Sequence, residues 1–230
     1  MDVQEMIRRT DVTAIGYGVG DLERMLNDPI PIERVCVDGL DTLQASFYDK
    51  RISTVVGFPF GDVKTKDMET AIINGAHEID FPIPVRMVHT SSVARPGCLI
   101  SPVSFREWVR ALELPNSPRT VYKVILHTDL FQKIHGDQAI SLILSYASDI
   151  ANRFPTHSKS GRLVMKTCTG YGPGGADPKV VEALKKEGYR VKASGRIRSK
   201  GDVKILVDAG ADLLGIGCPA YRDIFLGWGS

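Results

Sequence analysis

Two lysines sit where an ammonium group is hard to keep. Lys166 closes the apolar run LVMK within Leu163 to Gly175, and a glycine-rich turn follows it at once. Lys192 repeats the design in VKASGRIR, Val191 to Arg198, inside a short apolar stretch with glycine close behind. Burial penalises the charged amine, so a buried lysine gives up its proton more readily, and neutral amines attack carbonyl carbon. At ~6 Å and an effective dielectric of ~20, one ammonium raises the free energy of its neighbour by roughly 3 kcal/mol, or about two pKa units. The two effects together would bring one lysine from ~10.4 toward ~7–8, the range of a Schiff-base nucleophile at neutral pH. Such a site needs a proton shuttle, and Asp80, an acid in the otherwise apolar HEIDFPI, His77 to Ile83, is the best candidate. The bland alternative for Lys166 is a strand-end residue whose ammonium snorkels to water.

For the two lysines to meet, the elements that carry them must be neighbours. Two strands joined by one helix are parallel neighbours, which puts both ammonium groups at the same end of one sheet. Short apolar stretches alternate with amphipathic ones along the whole chain, the signature of βα units. Strands are expected near Thr10–Thr13, Arg34–Val37, Ile52–Phe58, Glu78–Ile83, Val121–Thr128, Arg162–Thr167, Arg190–Ser194 and Leu213–Gly217. The first has few apolar residues; the other seven stand on pattern alone. Thr65 can cap a helix that stops at Gly75, Asp177-Pro178 starts one that stops at Gly188, and Ser199 and Gly210 bracket another. The longest helix is expected within Asp137 to Arg153, with Ile140, Leu144, Ala147 and Ile150 or Ala151 on its buried face. Eight such units fit a closed barrel better than an open sheet. The predicted fold is α/β, a (β/α)8 TIM barrel in a single domain over residues 1–230.

Two stretches break the regularity. Residues His89 to Ser104 hold two prolines and a glycine, and Phe154 to Gly161 reads as a polar turn. Both read as surface insertions, the first starting on the face where a barrel does its chemistry and so able to serve as a lid.

Bulk composition excludes several classes. The 230 residues are 43% hydrophobic and 24% charged, enough for one sizeable core. Twenty-nine basic and 27 acidic residues are interspersed for a net charge of +2, which gives no nucleic-acid surface and no membrane patch. No run of 18 apolar residues occurs and the first residues lack an apolar core, so a cytoplasmic location is the expectation. Cys36, Cys98, Cys168 and Cys218 are widely spaced and form no CxxC pair, and the five histidines are scattered. Free thiols are expected, and neither a disulfide framework nor a metal site.

The runs STVVGFPFGD (Ser53 to Asp62), EID, KTCTGY and VKASGRIR, in this order, closely resemble the deoxyribose-phosphate aldolase family. The weak first strand gains support here, because the family begins with a comparable Asp-x-Thr. The resemblance implies a class I aldolase that cleaves 2-deoxy-D-ribose 5-phosphate reversibly to acetaldehyde and D-glyceraldehyde 3-phosphate. It also implies a catalytic set of Lys166 as nucleophile, Lys192 as the group that lowers its pKa, and Asp80 as proton shuttle. No metal or organic cofactor is required. Partners are a small sugar phosphate and aldehydes, with a homodimer expected because the family often forms one. Substrate contacts are expected at Thr13, Thr169, Gly170, Gly195, Arg196, Arg198, Gly215 and Gly217, near the turns where barrels bind phosphate. The run GYGPGG, Gly170 to Gly175, either adds to that cradle or is an ordinary βα turn.

The chain also departs from the family. Asp38-Gly39 stand where Tyr-Pro is usual, Phe60 where a histidine is, and His127 where a glutamate is. Gly195-Arg196 replace a glycine pair, and Gly217-Cys218 replace a Ser-Ser-like pair. Arg196 is expected to compensate for the two missing hydroxyls with a bidentate fork, helped by Arg198. Otherwise it is solvent-facing, or fills the phosphate space and turns the enzyme to an unphosphorylated or acidic substrate. Two other classes remain open: a sugar-phosphate isomerase or epimerase using Asp80 as base, and a non-catalytic sugar-phosphate binder.

Overall fold

The computed structural model describes residues 2–17, 19–90, 102–115, 117–218 and 220–228. Eight short stretches form its strands: β1 (Thr10–Ala14), β2 (Arg34–Val37), β3 (Arg51–Val55), β4 (Glu78–Pro82), β5 (Val121–Ile125), β6 (Leu163–Lys166), β7 (Arg190–Ser194) and β8 (Leu213–Gly217). Each pairs in parallel with the next, and β8 returns to β1, so the sheet closes into a (β/α)8 TIM barrel. Parallel pairing demands long crossovers, and here the helices supply them and cover the outside of the sheet.

Strand residues alternate between the two sides of the barrel wall. Val12, Val35, Ile52, Ile79, Tyr122, Met165, Val191 and Leu214 belong to the main core, shared with helix residues such as Leu22, Met68, Val181 and Val203. The other face of the same strands holds a small separate cluster, Val121, Val164 and Leu213. Two residues further along β5 and β6 stand Lys123 and Lys166, on the same inner face as Val121 and Val164. The apolar cluster therefore lies below a polar layer inside the barrel.

The helix Pro178–Lys186 begins as expected, with Asp177 accepting a hydrogen bond from the Lys179 N–H. The helix Lys200–Asp208 opens on a full capping box between Ser199 and Asp202. In the helix Thr65–Ile73, by contrast, Lys64 holds the cap position with extended backbone, and the Thr65 hydroxyl donates to the Glu113 carbonyl instead. The longest helix, Ala139–Arg153, buries Ala139, Ile143, Tyr146, Ala147 and Ile150, a face turned from the expected one, and leaves Ile140 and Leu144 half-buried. The reason is aromatic: Tyr146 stacks on Phe105 at 3.7 Å and meets Phe131 edge-on at 5.1 Å. Residues Phe154 to Gly161 contain a helix, Pro155–Lys159, rather than an irregular turn, because Pro155 occupies its first position. The other irregular stretch is helical at its flanks, Val85–Thr90 and Pro102–Ala111, and its centre, with Cys98 and the expected lid, lies outside the described residues. Strands β3, β4, β5 and β6 stop short of their expected ends, since the chain leaves the ladder to build turns. His127, for example, takes a left-handed conformation (φ 52°) on the way into the helix Thr128–His135.

Candidate active site

The register sets the catalytic geometry before any side chain is considered. Lys166 ends β6 and lies directly opposite Lys192 on β7, while Asp80 on β4 is directly opposite Lys123 on the neighbouring β5. All four side chains point into the barrel. Lys166 donates to Asp80 Oδ2 at 2.7 Å and Lys192 donates to the same oxygen at 3.0 Å, so the two ammonium groups share one acceptor. Sequence reasoning singled out these three residues, and the fold brings them together.

It missed the rest of the set. Lys123 donates to Asp11 Oδ2 and to Ser53 Oγ, both at 2.6 Å, is paired with Glu78, and lies 3.1 Å from Asp80 Oδ1. Asp11 also accepts from Lys192 and, at 2.7 Å, from Arg34. Arg34 bridges onward to Glu78 at 2.7 Å, and Arg51 caps Glu78 from the half-exposed floor. A single chain of contacts thus runs from Arg51 and Arg34, which begin β3 and β2, to Lys166 at the end of β6. The signal was present in the sequence: Lys123 sits in VYKVI much as Lys166 sits in LVMK, and Glu78 and Asp80 share one face of β4. What hid Lys123 is that no glycine turn follows it.

These contacts decide the charge states. Burial pushes the Asp80 carboxyl up, but Lys123, Lys166 and Lys192 together hold it well below the usual carboxylate range. Asp11 is likewise raised by burial and pulled well below by Lys123, Lys192 and Arg34. Glu78 balances burial against Lys123, Arg34 and Arg51 and falls to about 2. Lys166 corrects the expectation of a depressed amine. Burial lowers its pKa, but the Asp80 carboxylate in direct contact raises it, and the net direction is upward. Proximity of Lys192 does not win, because both lysines lean on the same oxygen. Cys36, 4.0 Å from that oxygen, is pushed up to about 11 by burial and by Asp80, so its thiol stays protonated.

Access separates the lysines. Lys123 and Lys192 are fully buried, whereas Lys166 retains 3% exposure and lines a cleft of about 560 Å³ at the C-terminal ends of the strands. The cleft wall includes each expected contact: Thr13 from β1, Thr169 and Gly170 after β6, Gly195, Arg196 and Arg198 after β7, and Gly215 and Gly217 on β8. It adds Tyr17, Tyr171, Ser194, Cys218 and Asp223, which sequence reasoning did not select. Asp80 and Lys192 do not reach the wall; they lie beneath Lys166.

Local structure explains the wall. Glycine is required at 195 and at 215, where a Cβ would come within 2.8 Å of Cys168 or Ser194. Arg196 holds a left-handed backbone (φ 57°), which a side chain adopts at a cost, and its guanidinium donates to the Gly172 carbonyl at 3.1 Å. Arg196 and Arg198 are exposed, and neither forms an ion pair among the described residues. At the end of β8, Cys218 spends its N–H on the Thr13 carbonyl and its carbonyl on the Tyr17 hydroxyl. His127 lies away from the cleft, with Nε2 on the Ile83 carbonyl at 3.1 Å and its pKa lowered by burial. Within GYGPGG, Gly172 and Gly174 pack against Asp129, leaving only its first residues on the cleft.

No protein-family model matches the chain. Among curated proteins it is similar to the deoxyribose-phosphate aldolase of Aeropyrum pernix, with 31% identity over 193 residues, covering 80% of this chain and 69% of that one. The deoxyribose-phosphate aldolase of Caldanaerobacter subterraneus subsp. tengcongensis is 32% identical over 178 residues, 73% of this chain and 66% of the relative. That of Acholeplasma laidlawii is 34% identical over 171 residues, 71% of this chain and 66% of the relative. The chain thus spans just under two thirds of the length of these last two relatives. Among solved structures, the Aeropyrum pernix enzyme, described as a unique tetramer, superposes with a TM-score of 0.73 at 24% identity, covering 99% of this chain and 92% of that one. An aldolase called QR15 gives 0.73 at 22% identity over 98% of this chain and 95% of its own. At those identities the structural likeness speaks for the fold.

Proposed function

The chain belongs to the deoxyribose-phosphate aldolase family, and from that premise we propose that it cleaves 2-deoxy-D-ribose 5-phosphate reversibly through an imine on Lys166. The observation that carries this reading is the arrangement of three buried lysines around Asp80, with Lys166 the one that opens on the cleft. An isomerase needs a base in direct reach of the substrate, and Asp80 lies beneath the wall, behind Lys166.

In the cleavage direction, neutral Lys166 adds to C1 of the open-chain sugar, and loss of water leaves an iminium. The Asp80 carboxylate, through water on the cleft side, takes the proton of the C3 hydroxyl as the C2–C3 bond breaks. The bonding pair moves into the iminium to give an enamine, and D-glyceraldehyde 3-phosphate departs. Protonation of the enamine and hydrolysis of the imine release acetaldehyde and restore the amine. Because Lys166 starts as an ion pair with Asp80, its proton passes to that carboxylate, on which Lys192 also rests; protonated Asp80 gives the proton to the departing hydroxyl of the carbinolamine and, in a later step, protonates the enamine. The substrate phosphate faces the turn after β7, where Arg196 and Arg198 supply exposed guanidinium groups next to Gly195, neither in an ion pair among the described residues. Thr13, Thr169, Gly170, Gly215 and Gly217 line its path.

Borohydride reduction in the presence of acetaldehyde tests the reading. An ethyl group on Lys166 is the expected product, and an unmodified Lys166 in a protein that still turns over the sugar would overturn it. A retro-aldol assay on phosphorylated and unphosphorylated deoxyribose tests the phosphate assignment. We further propose a cytoplasmic homodimer; no described helix is long and apolar enough to cross a membrane, and the exposed Leu40, Leu43 and Phe47 give one apolar surface for a second copy.

A further inference from the structure

The lysines and carboxylates inside the barrel would balance by themselves. Asp11, Glu78 and Asp80 face Lys123, Lys166 and Lys192, each buried. Arg34 is the buried seventh charge and breaks the tie. It stands at the start of β2, while Lys166 stands at the end of β6, and the two never touch. They are linked through shared partners: Arg34 occupies Asp11 Oδ1 and both oxygens of Glu78, and Asp11 Oδ2 holds Lys123 and Lys192. Those two lysines also bear on Asp80, the partner of Lys166.

We propose that Arg34 is a remote positioning residue whose surplus positive charge makes Lys166, rather than Lys123 or Lys192, the amine that sheds its proton. Every carboxylate group in the barrel carries more cations than it can neutralise. The surplus is relieved most easily at the lysine with the fewest carboxylate contacts. Lys123 has three such partners, Lys192 two and Lys166 one. Removing the guanidinium charge would free Asp11 and Glu78 to satisfy Lys123 and Lys192. Asp80 would then hold the Lys166 proton more firmly. The remaining titratable groups along this axis are Cys36 on β2, protonated, and Arg51 on β3, half-exposed on Glu78; β8 contributes none.

The inference rests on the imine reading, and its test separates the two. The initial rate of borohydride trapping with acetaldehyde, followed against pH, reads the neutral fraction of Lys166. Trapping elsewhere in the wild type would sink the reading itself. Given trapping at Lys166, Arg34→Gln should move the midpoint about one pH unit to the alkaline side, with a roughly tenfold slower rate on the acid limb. Glu78→Gln, which removes a negative charge, should move it to the acid side. The double variant Arg34→Gln/Glu78→Gln, with the charge count restored and the amide pair able to hydrogen-bond, should return the midpoint to the wild-type value. It also serves if either single variant does not fold. Midpoints that stay fixed, or both single variants shifting in one direction, or a double variant with a shifted midpoint, would overturn the proposal. A merely structural role would lower Tm and leave the midpoint in place.

Discussion

Lys166 is the residue where burial and access meet, and three predictions belong at its scale. Lys166→Ala should abolish turnover while leaving the circular dichroism spectrum native, since Lys123 and Lys192 are sealed from the cleft and neither can form the imine in its place. Residual turnover within about tenfold of wild type would remove the assignment. Lys192→Leu should push the kcat/KM profile to higher pH. The reactive form is the neutral amine, and Lys166 alone on Asp80 Oδ2 would hold its proton more tightly, so the neutral fraction at pH 7 falls. Arg196→Gly should have two effects of opposite sign. Relief of the left-handed backbone should raise Tm, worth about 1 kcal/mol, while loss of a charge-assisted contact of ~1.5–3 kcal/mol should raise KM for the phosphorylated sugar ~10- to 100-fold. Unphosphorylated deoxyribose should be nearly unaffected, and equal effects on both sugars would place the arginine outside the phosphate contact. The sequence disclosed Lys166, Lys192 and Asp80 because a charge in an apolar strand beside glycine is conspicuous. Lys123 and Arg34 are likewise charges in apolar strands but have no glycine beside them, and only the closed sheet reveals that they share Asp11 and Glu78.

At the scale of elements, the ends of β6 and β7 are stitched together just beyond the two lysines. The Thr167 N–H donates to the Lys192 carbonyl, its hydroxyl donates to the Ser194 carbonyl at 2.8 Å, and that same hydroxyl accepts from the Ser194 N–H at 3.0 Å. Ser194 returns a bond to the Cys168 carbonyl at 2.6 Å. Thr167→Val keeps the shape and removes two of these bonds, leaving buried groups unsatisfied. A loss of ~1–3 kcal/mol in denaturant stability is expected, with Thr167→Ser recovering most of it. Equal stability of the two variants would show that the stitch does no holding. Helix caps such as Asp177 and Ser199 were legible because their rule is local. The buried face of Ala139–Arg153 was legible only in its second half, at Ala147 and Ile150; in the first half Ile143 and Tyr146 are buried instead of Ile140 and Leu144, a choice made with Phe105 and Phe131, distant in sequence.

For the molecule as a whole, the buried charges predict how it meets acid. Asp11, Glu78 and Asp80 all have folded pKa values below their unfolded ones, so the unfolded chain binds more protons and stability rises with pH through that range. Their contribution should be complete above about pH 5 and drain away as pH falls through the folded values. Glu78 alone, moving from 4.5 to about 2, accounts for about 3 kcal/mol. Urea midpoints should fall modestly from pH 7 to 5, as His77, His127 and His157, whose pKa values burial lowers, take up protons in the unfolded chain, and then drop steeply as the carboxylates lose their contribution; no steeper fall below pH 5 would mean that these carboxylates gain nothing from their partners. Seven of the eight barrel units were readable from alternation alone and the first only with the family resemblance, whereas the inward charge layer depends on which strands close the circle. That layer is hung on the strands, and the cleft wall is hung mainly on the turns that follow β6, β7 and β8. The engine and its mouthpiece are therefore separately editable: on the imine chemistry proposed above, exchanging the turns after β7 and β8 should retune which aldehydes are accepted while the buried charge layer around Lys166 stays as it is.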